Sequence, residues 1–332
     1  MSSLPKTILF LGTTGYIGGS VLDALLDHPK ASEFDITAYF RSAEKAQKCE
    51  RLVGVKGISG SLDVVQEAAA KADMIVNCAS SDDIPLAEAI LAGAKRHLEV
   101  SKVATVLLHT YATDKVLDDT DTATINELPS TQWHRAVDVL NLKASDEGYI
   151  TLYTVVPGLI FGLATGRFVE AGLQRSIPTG ELFIALEVLK RGAPGIIGPM
   201  KNTWDFVEVH DIADLFVLVL DAIISGKKIA SGADGNYFGE NGFMELGPYF
   251  RGVGQALYEL RAIKSAEATQ FTPEELKGDF GSVYIHLGNN ARISGTRSRS
   301  LGWKPKVPAE AVVGKIRDDM KVLLESMKAS GV

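Results

Sequence analysis

The sequence predicts an α/β protein, a doubly wound parallel sheet with a smaller, interleaved C-terminal lobe. Three observations carry this. Short apolar runs alternate with helical patterns through the first half of the chain. A glycine-rich turn joins the first such run to the first helix. The alternation then weakens into a Gly- and Pro-rich stretch before an apolar helix resumes.

Lys6 to Leu11 is a buried strand ending at Gly12. Ile17, Val21, Leu22, Leu25 and Leu26 recur at helical spacing before Pro29. Phe34 to Phe40 is the second strand, closed by Arg41. Residues 63–72 are helical, 72–79 a strand, 85–97 a helix and 103–109 a strand. Between 116 and 124, Asp118, Asp119 and Asp121 mark an acidic loop. Ser130 or Thr131 caps a helix running to about Asp146, and 150–156 is a strand stopped by Pro157 and Gly158. Strands alternating with helices imply right-handed crossovers and a sheet covered on both faces. Residues 163–201 read as irregular structure plus one helix, and 207–224 as a helix in which Asp211 and Asp214 act as caps. From Ala311 the tail places Val312, Ile316, Met320, Leu323 and Met327 on one helix face, so it docks. The expected division is 1–162 for the dinucleotide-binding part and 163–332 mainly for a substrate lobe, with about 204–225 returning to the first part.

Composition narrows the functions. Of 332 residues, 46% are hydrophobic and 23% charged, ordinary for a globular chain. The 34 Lys and Arg against 41 Asp and Glu leave a formal charge of −7, which argues against general nucleic-acid binding. Cys49 and Cys78 support neither a disulfide framework nor a zinc site, and the histidines show no ligand spacing, so no metal is expected. The start lacks a signal-peptide pattern and no stretch is long enough to span a bilayer; the expected setting is cytoplasmic, without membrane.

Gly12-Thr13-Thr14-Gly15-Tyr16-Ile17-Gly18 follows the first strand and opens the first helix. Gly12 permits the tight turn, Gly15 lets a diphosphate approach the backbone, and Gly18 lets the helix pack close to the sheet. Free amides at the helix start then face the anion. Where an NAD-selective chain places Asp or Glu, the second strand here ends in Arg41, followed by Ser42 and Lys45. A guanidinium there pairs with a ribose 2′-phosphate, so the expected cofactor is NADP(H).

Taken together, GTTGYIGG at 12–19, VNCASSDD at 76–83, LLHT at 107–110, HRAVD at 134–138, TVVPGLIFG at 154–162, WDFVEVHDIADLF at 204–216 and RSLGWKP at 299–305 resemble the extended, atypical short-chain dehydrogenase/reductase superfamily. Within it, the chain is similar to the NmrA-like and epimerase/dehydratase-type NAD(P)-binding Rossmann proteins of fungi. The resemblance implies that Ser61 and Leu62 lie by the adenine, and Ala79 and Ser80 beside the ribose and diphosphate. Pro157, Leu159 and Ile160 would border the nicotinamide, and Thr110 takes the usual Ser/Thr position. It also allows a homodimer through helices flanking the sheet.

The superfamily's Tyr and Lys, spaced YxxxK, are displaced. Tyr111 and Lys115 show that spacing, but directly after the strand end. On the following helix His134 stands where Tyr would be and Asp138 where Lys would be, one turn apart. Thr110, Tyr111 or His134 is then the proton source, with Asp138 accepting from the ribose hydroxyls. His109, inside a strand, reads as a satisfied core histidine. Phe161, Phe168, Trp204 and Tyr237 are expected to line a mostly apolar substrate site. The expected activity is NADP(H)-dependent reduction of a carbonyl, imine or activated double bond in a small apolar metabolite. The alternatives are a non-catalytic NADP(H) sensor with a protein partner, and a non-redox cyclase or isomerase keeping the cofactor as scaffold.

Overall fold

The computed structural model describes residues 6–110, 117–129, 132, 134–277 and 287–329. Strands and helices alternate through β1 (Thr7–Leu11), α1 (Tyr16–Leu26), β2 (Asp35–Phe40), α2 (Ala43–Val53), β3 (Lys56–Ser59), α3 (Leu62–Ala69), β4 (Met74–Asn77), α4 (Ile84–Ser101) and β5 (Thr105–Thr110). Then come β6 (Leu117–Asp118), α5 (Thr122–Asn126), α6 (Arg135–Asp146), β7 (Ile150–Pro157), β8 (Leu159–Phe161), α7 (Arg167–Glu170), α8 (Thr179–Arg191), β9 (Gly195–Ile196) and β10 (Thr203–Glu208). The rest comprises α9 (Val209–Ile224), β11 (Asn236–Gly239), β12 (Phe243–Glu245), α10 (Leu246–Glu259), β13 (Thr269–Gln270), β14 (Ile293–Ser294), α11 (Thr296–Leu301) and α12 (Ala311–Ala329).

Seven strands form one sheet in the order β11-β7-β5-β4-β1-β2-β3, every pairing parallel. Because both faces are covered, the central strands are apolar at nearly every position rather than alternating. Phe10, Val76, Leu108 and Val155 pack on one face with Val21, Leu22, Leu215, Phe216 and Val219 of α1 and α9. Leu9, Ile75, Leu107 and Leu152 pack on the other with Val65, Ile90 and Ala144 of α3, α4 and α6. A second core joins β8 and β10 to α8, α10 and α12, and the tail docks there through Val312, Ile316, Met320 and Leu323.

Four expectations need correction. The stretch from Val207 was read as helix throughout, but 203–208 is β10, pairing with β8 and β12, and the helix starts at Val209. Its cap is Glu208, whose carboxylate accepts from the His210 and Asp211 amides. Asp211 instead accepts from the Lys306 and Val307 amides at 2.8 and 2.9 Å, and Asp214 pairs with the Lys306 ammonium. The sheet also takes its seventh strand, β11, from residues 236–239, inside the span assigned mainly to the substrate lobe. Finally, the 116–124 loop is not simply a solvated acidic turn. Asp119 is buried and accepts from the backbone amides of Phe238, Arg297 and Ser298 at 3.1, 2.7 and 3.2 Å, joining the loop to β11 and α11.

Inside the second core, Glu181 of α8, Tyr249 of α10 and Asp319 of α12 are buried together. Neither carboxyl forms an ion pair among the described residues. Burial raises both carboxyls above the ordinary range; the Asp319 charge pushes Glu181 up further, while a hydrogen bond from Glu181 and the nearby Lys315 charge offset part of the rise at Asp319. A carboxyl whose folded pKa exceeds its unfolded one stabilises the fold at acid pH. That contribution is lost as pH climbs from the ordinary carboxylate range through the raised folded values. Asp319→Asn keeps the shape without the charge. It is expected to raise Tm at pH 8 by roughly 2–4 °C over wild type, and by less at pH 5. Parallel thermal melts at the two pH values check this; an equal shift at both would show that the pair is not the titrating element.

Candidate functional site

The site is built from the carboxyl ends of the parallel strands, where the chain turns from strand to helix. At the end of β1, Gly12 has φ +92°, and a Cβ there would lie 2.4 Å from the Cys78 carbonyl, so the turn lies directly against the end of β4. The Gly15 amide closes the turn onto the Gly12 carbonyl at 2.8 Å. A Cβ on Gly18 would sit 2.3 Å from that same oxygen, so α1 descends onto the turn only because residue 18 is glycine. Gly15 caps α1 without a side chain, and the first helical turn carries no acid. The amides of Tyr16, Ile17 and Gly18 therefore have no acceptor within the helix and no carboxylate competing for them. The Thr13 hydroxyl is buried without a partner among the described residues. Tyr16 turns inward and donates to the Gly162 carbonyl, tying the loop to the segment after β8.

The neighbouring strand ends complete a shallow arc. Arg41 follows β2, exposed, with no hydrogen-bond or ion-pair partner among the described residues, while Ser42 is used as the α2 cap. Ser61 caps α3 and its hydroxyl donates to Asp63, with Leu62 exposed beside it. After β4, the Ala79 amide donates to Asn77 and the Ser80 hydroxyl accepts from the Asp82 amide. Pro157 ends β7, and Leu159 and Ile160 lie in β8, half-buried. Strand order reverses between β1 and its neighbours β2 and β4, so the glycine turn occupies the crevice where such folds bind ligands. The donors, the helix end and the free guanidinium suit an anionic, diphosphate-bearing nucleotide.

The proton-handling candidates separate. Thr110 ends β5, buried, opposite Val155. Tyr111 and Lys115 lie outside the described residues. His134 does not share a helical face with Asp138. It precedes α6 at φ +65°, its Nδ1 2.9 Å from both Asp82 carboxylate oxygens and 3.0 Å from the Ser81 hydroxyl. Asp138 is 3% exposed and ion-paired with buried Arg135 three residues earlier. A buried guanidinium requires that counter-charge, which removes Asp138 from any role at ribose hydroxyls.

His109 was missed. Its Nδ1 lies 3.3 Å from the Asn77 side-chain amide, while buried Nε2 has no partner among the described residues. Burial, and then the charge of nearby His134, holds its pKa at about 4, so the ring is neutral near pH 7. If Nδ1 accepts from the amide, the proton sits on Nε2. Asn77 is the one polar residue of β4, but its register partner His109 shares β5 with Thr105 and Thr110 and so does not stand out in the sequence.

The expected substrate lining is also corrected. Phe161 is buried in the second core, 6.3 Å from the Phe206 ring. Phe168 and Tyr237 are buried against the main sheet, and the Tyr237 hydroxyl donates to the Ala230 carbonyl. These rings close cores because burying a large apolar surface is favourable. Trp204 is half-buried, its indole donating to the Asn289 carbonyl at 2.7 Å. Among the described residues no group of His, Cys, Asp or Glu side chains is arranged to hold a metal, and no helix is long and apolar enough to cross a membrane.

Strand order and glycine turn together give a Rossmann-type fold, a parallel sheet with the glycine turn where its strand order reverses. Among solved structures, the chain is similar to UDP-glucose 4-epimerase from Bifidobacterium longum in complex with NAD+ and UDP. That match has TM-score 0.62 and 16% identity over 96% of this chain and 98% of that one. It is also similar to yeast methylglyoxal/isovaleraldehyde reductase Gre2 complexed with NADPH, at TM-score 0.58 and 14% identity over 95% and 98%. Among curated proteins, oxidase ucsJ of an Acremonium species is 27% identical over 92% of this chain and 94% of its own length. An uncharacterized protein of Schizosaccharomyces pombe, C2A9.02, is 24% identical over 90% and 94%. No family model matches the chain.

Proposed function

We propose that the protein is an NADP(H)-dependent oxidoreductase that reduces a carbonyl, imine or activated double bond in a small apolar metabolite. The observation that carries this is the acid-free start of α1, capped by Gly15 without a side chain, with Arg41 one strand away and unpaired among the described residues. The full-length likeness to a curated oxidase and to a reductase solved with NADPH supports the redox class. In this reading the amides of residues 16–18 hold the diphosphate and Arg41 the 2′-phosphate. Ser61, Leu62, Ala79 and Ser80 flank the adenosine half, and Pro157, Leu159 and Ile160 the nicotinamide, which supplies hydride exchange when bound. Thr110, Tyr111 or His134 supplies the proton. His134 suits this because the Asp82 carboxylate and the Ser81 hydroxyl hold its Nδ1 and so fix the ring beside the segment that follows β4.

Titration with NADPH and NADH tests the cofactor, and following the reduced-nicotinamide absorbance with aldehydes, ketones, imines and enones tests the reaction. Arg41→Ala should weaken NADP(H) by roughly tenfold or more while leaving NAD(H) nearly unchanged, because a charge-assisted pair to phosphate is lost. Equal loss for both coenzymes overturns the 2′-phosphate assignment. A second reading is favoured by the Arg135–Asp138 pair, which leaves the helix without the superfamily's ribose-binding lysine position. Tight NADPH binding without turnover would make the protein a sensor; product without NADPH consumption would make it a non-redox enzyme.

A further inference from the structure

One stretch of chain lies across the start of α1. Buried Leu173 anchors it in the main core. The Gln174 amide donates to the Tyr16 carbonyl and the Ser20 hydroxyl, both at 2.9 Å. A Cβ on Gly19 would strike the Gln174 side chain at 2.2 Å, so a bare helix surface is needed for this contact. The next residue, Arg175, brings its backbone amide to the Thr14 carbonyl at 3.4 Å, at the rim of the glycine turn.

The two arginines of this region are treated differently. Arg167 is neutralised by Asp23, at 2.6 Å, and by Asp27. Arg175 has no ion-pair or hydrogen-bond partner for its guanidinium among the described residues. Partial desolvation lowers its pKa slightly, with no carboxylate to offset it. Arg175 is exposed, so its guanidinium is open to solvent, and its backbone stands at the positive end of α1, where an anion is favoured. The Thr13 hydroxyl, buried and without a partner among the described residues, is a further polar group in the same turn.

We propose that Arg175 is a cofactor-binding residue that closes over the glycine turn and grips the diphosphate bridge of the dinucleotide from the side opposite the α1 amides. This rests on the dinucleotide reading above. A guanidinium presents a fork of donors that matches two phosphate oxygens at once. The clamp is indifferent to the ribose 2′-phosphate, which separates its role from that of Arg41.

Calorimetric titrations of wild type, Arg175→Ala and Arg175→Lys with NADP+, NAD+ and 2′-AMP test the assignment. The last ligand keeps the adenosine and the 2′-phosphate but has no diphosphate. Arg175→Ala should weaken NADP+ and NAD+ by the same factor, roughly tenfold, as expected for a lost charge-assisted hydrogen bond. It should leave 2′-AMP binding unchanged, and Arg175→Lys should recover part of the loss. Unchanged dinucleotide affinity in a variant of wild-type Tm overturns the proposal, and so does an equal loss for 2′-AMP, which would report a distorted turn. If wild type itself binds neither dinucleotide, the dinucleotide reading fails and this assignment with it.

Discussion

Gly15→Asp is expected to abolish dinucleotide binding, by at least about 100-fold, while leaving Tm at or above the wild-type value. Residue 15 caps α1 at φ −77° and ψ 164°, a conformation open to any L-residue, and aspartate is among the best caps at that position. Its Cβ would approach the Gly12 carbonyl at 3.0 Å, a contact relieved by a shift of a few tenths of an ångström. The new carboxylate would take the free amides of the first turn and interact favourably with the helix dipole. Those are the groups assigned to the diphosphate, and the added negative charge repels it. Binding is read by calorimetry with NADPH and folding by thermal melts. A variant that melts far below wild type would show that the turn cannot admit a side chain. One that still binds NADPH would show that the diphosphate sits elsewhere.

Asp119→Ala is expected to destabilise the fold by about 3–5 kcal/mol, because each buried donor left unsatisfied costs roughly 1–3 kcal/mol. The carboxylate accepts from three backbone amides, those of Phe238, Arg297 and Ser298, and is fully buried. Alanine leaves all three without an acceptor where water cannot replace it. Asp119→Asn keeps one oxygen and should lose less. Denaturant unfolding of the three proteins measures the difference. A loss near zero for alanine would mean that the loop, β11 and α11 separate readily and rehydrate.

These two sites also mark what the sequence made legible. The glycine turn could be read because all its determinants are local: a strand, three glycines and a helix lie within 20 residues of one another. Arg41 could be read because it follows the second strand directly. Asp119 could not, since its partner Arg297 lies 178 residues away and nothing near residue 119 distinguishes it from Asp118 or Asp121. The same holds for β11, four residues that become a strand only through pairing with β7. Asp138 was misplaced for another reason. Helical spacing set it below His134, but the backbone at His134 turns left-handed, and the carboxylate instead answers the charge of Arg135. The aromatic residues were assigned to the substrate by type, whereas packing consumed three of the four.

The late return of β11 to the sheet governs how this protein can be shortened. A polypeptide ended at residue 162 would retain the glycine turn and six parallel strands, yet β7 would present a naked flank. The backbone edge of residues 154–157 that now pairs with Asn236 to Gly239 would be exposed along an apolar ribbon containing Val155 and Val156. Such a ribbon is a template for pairing with another molecule, so the nucleotide half cannot be excised cleanly at that point.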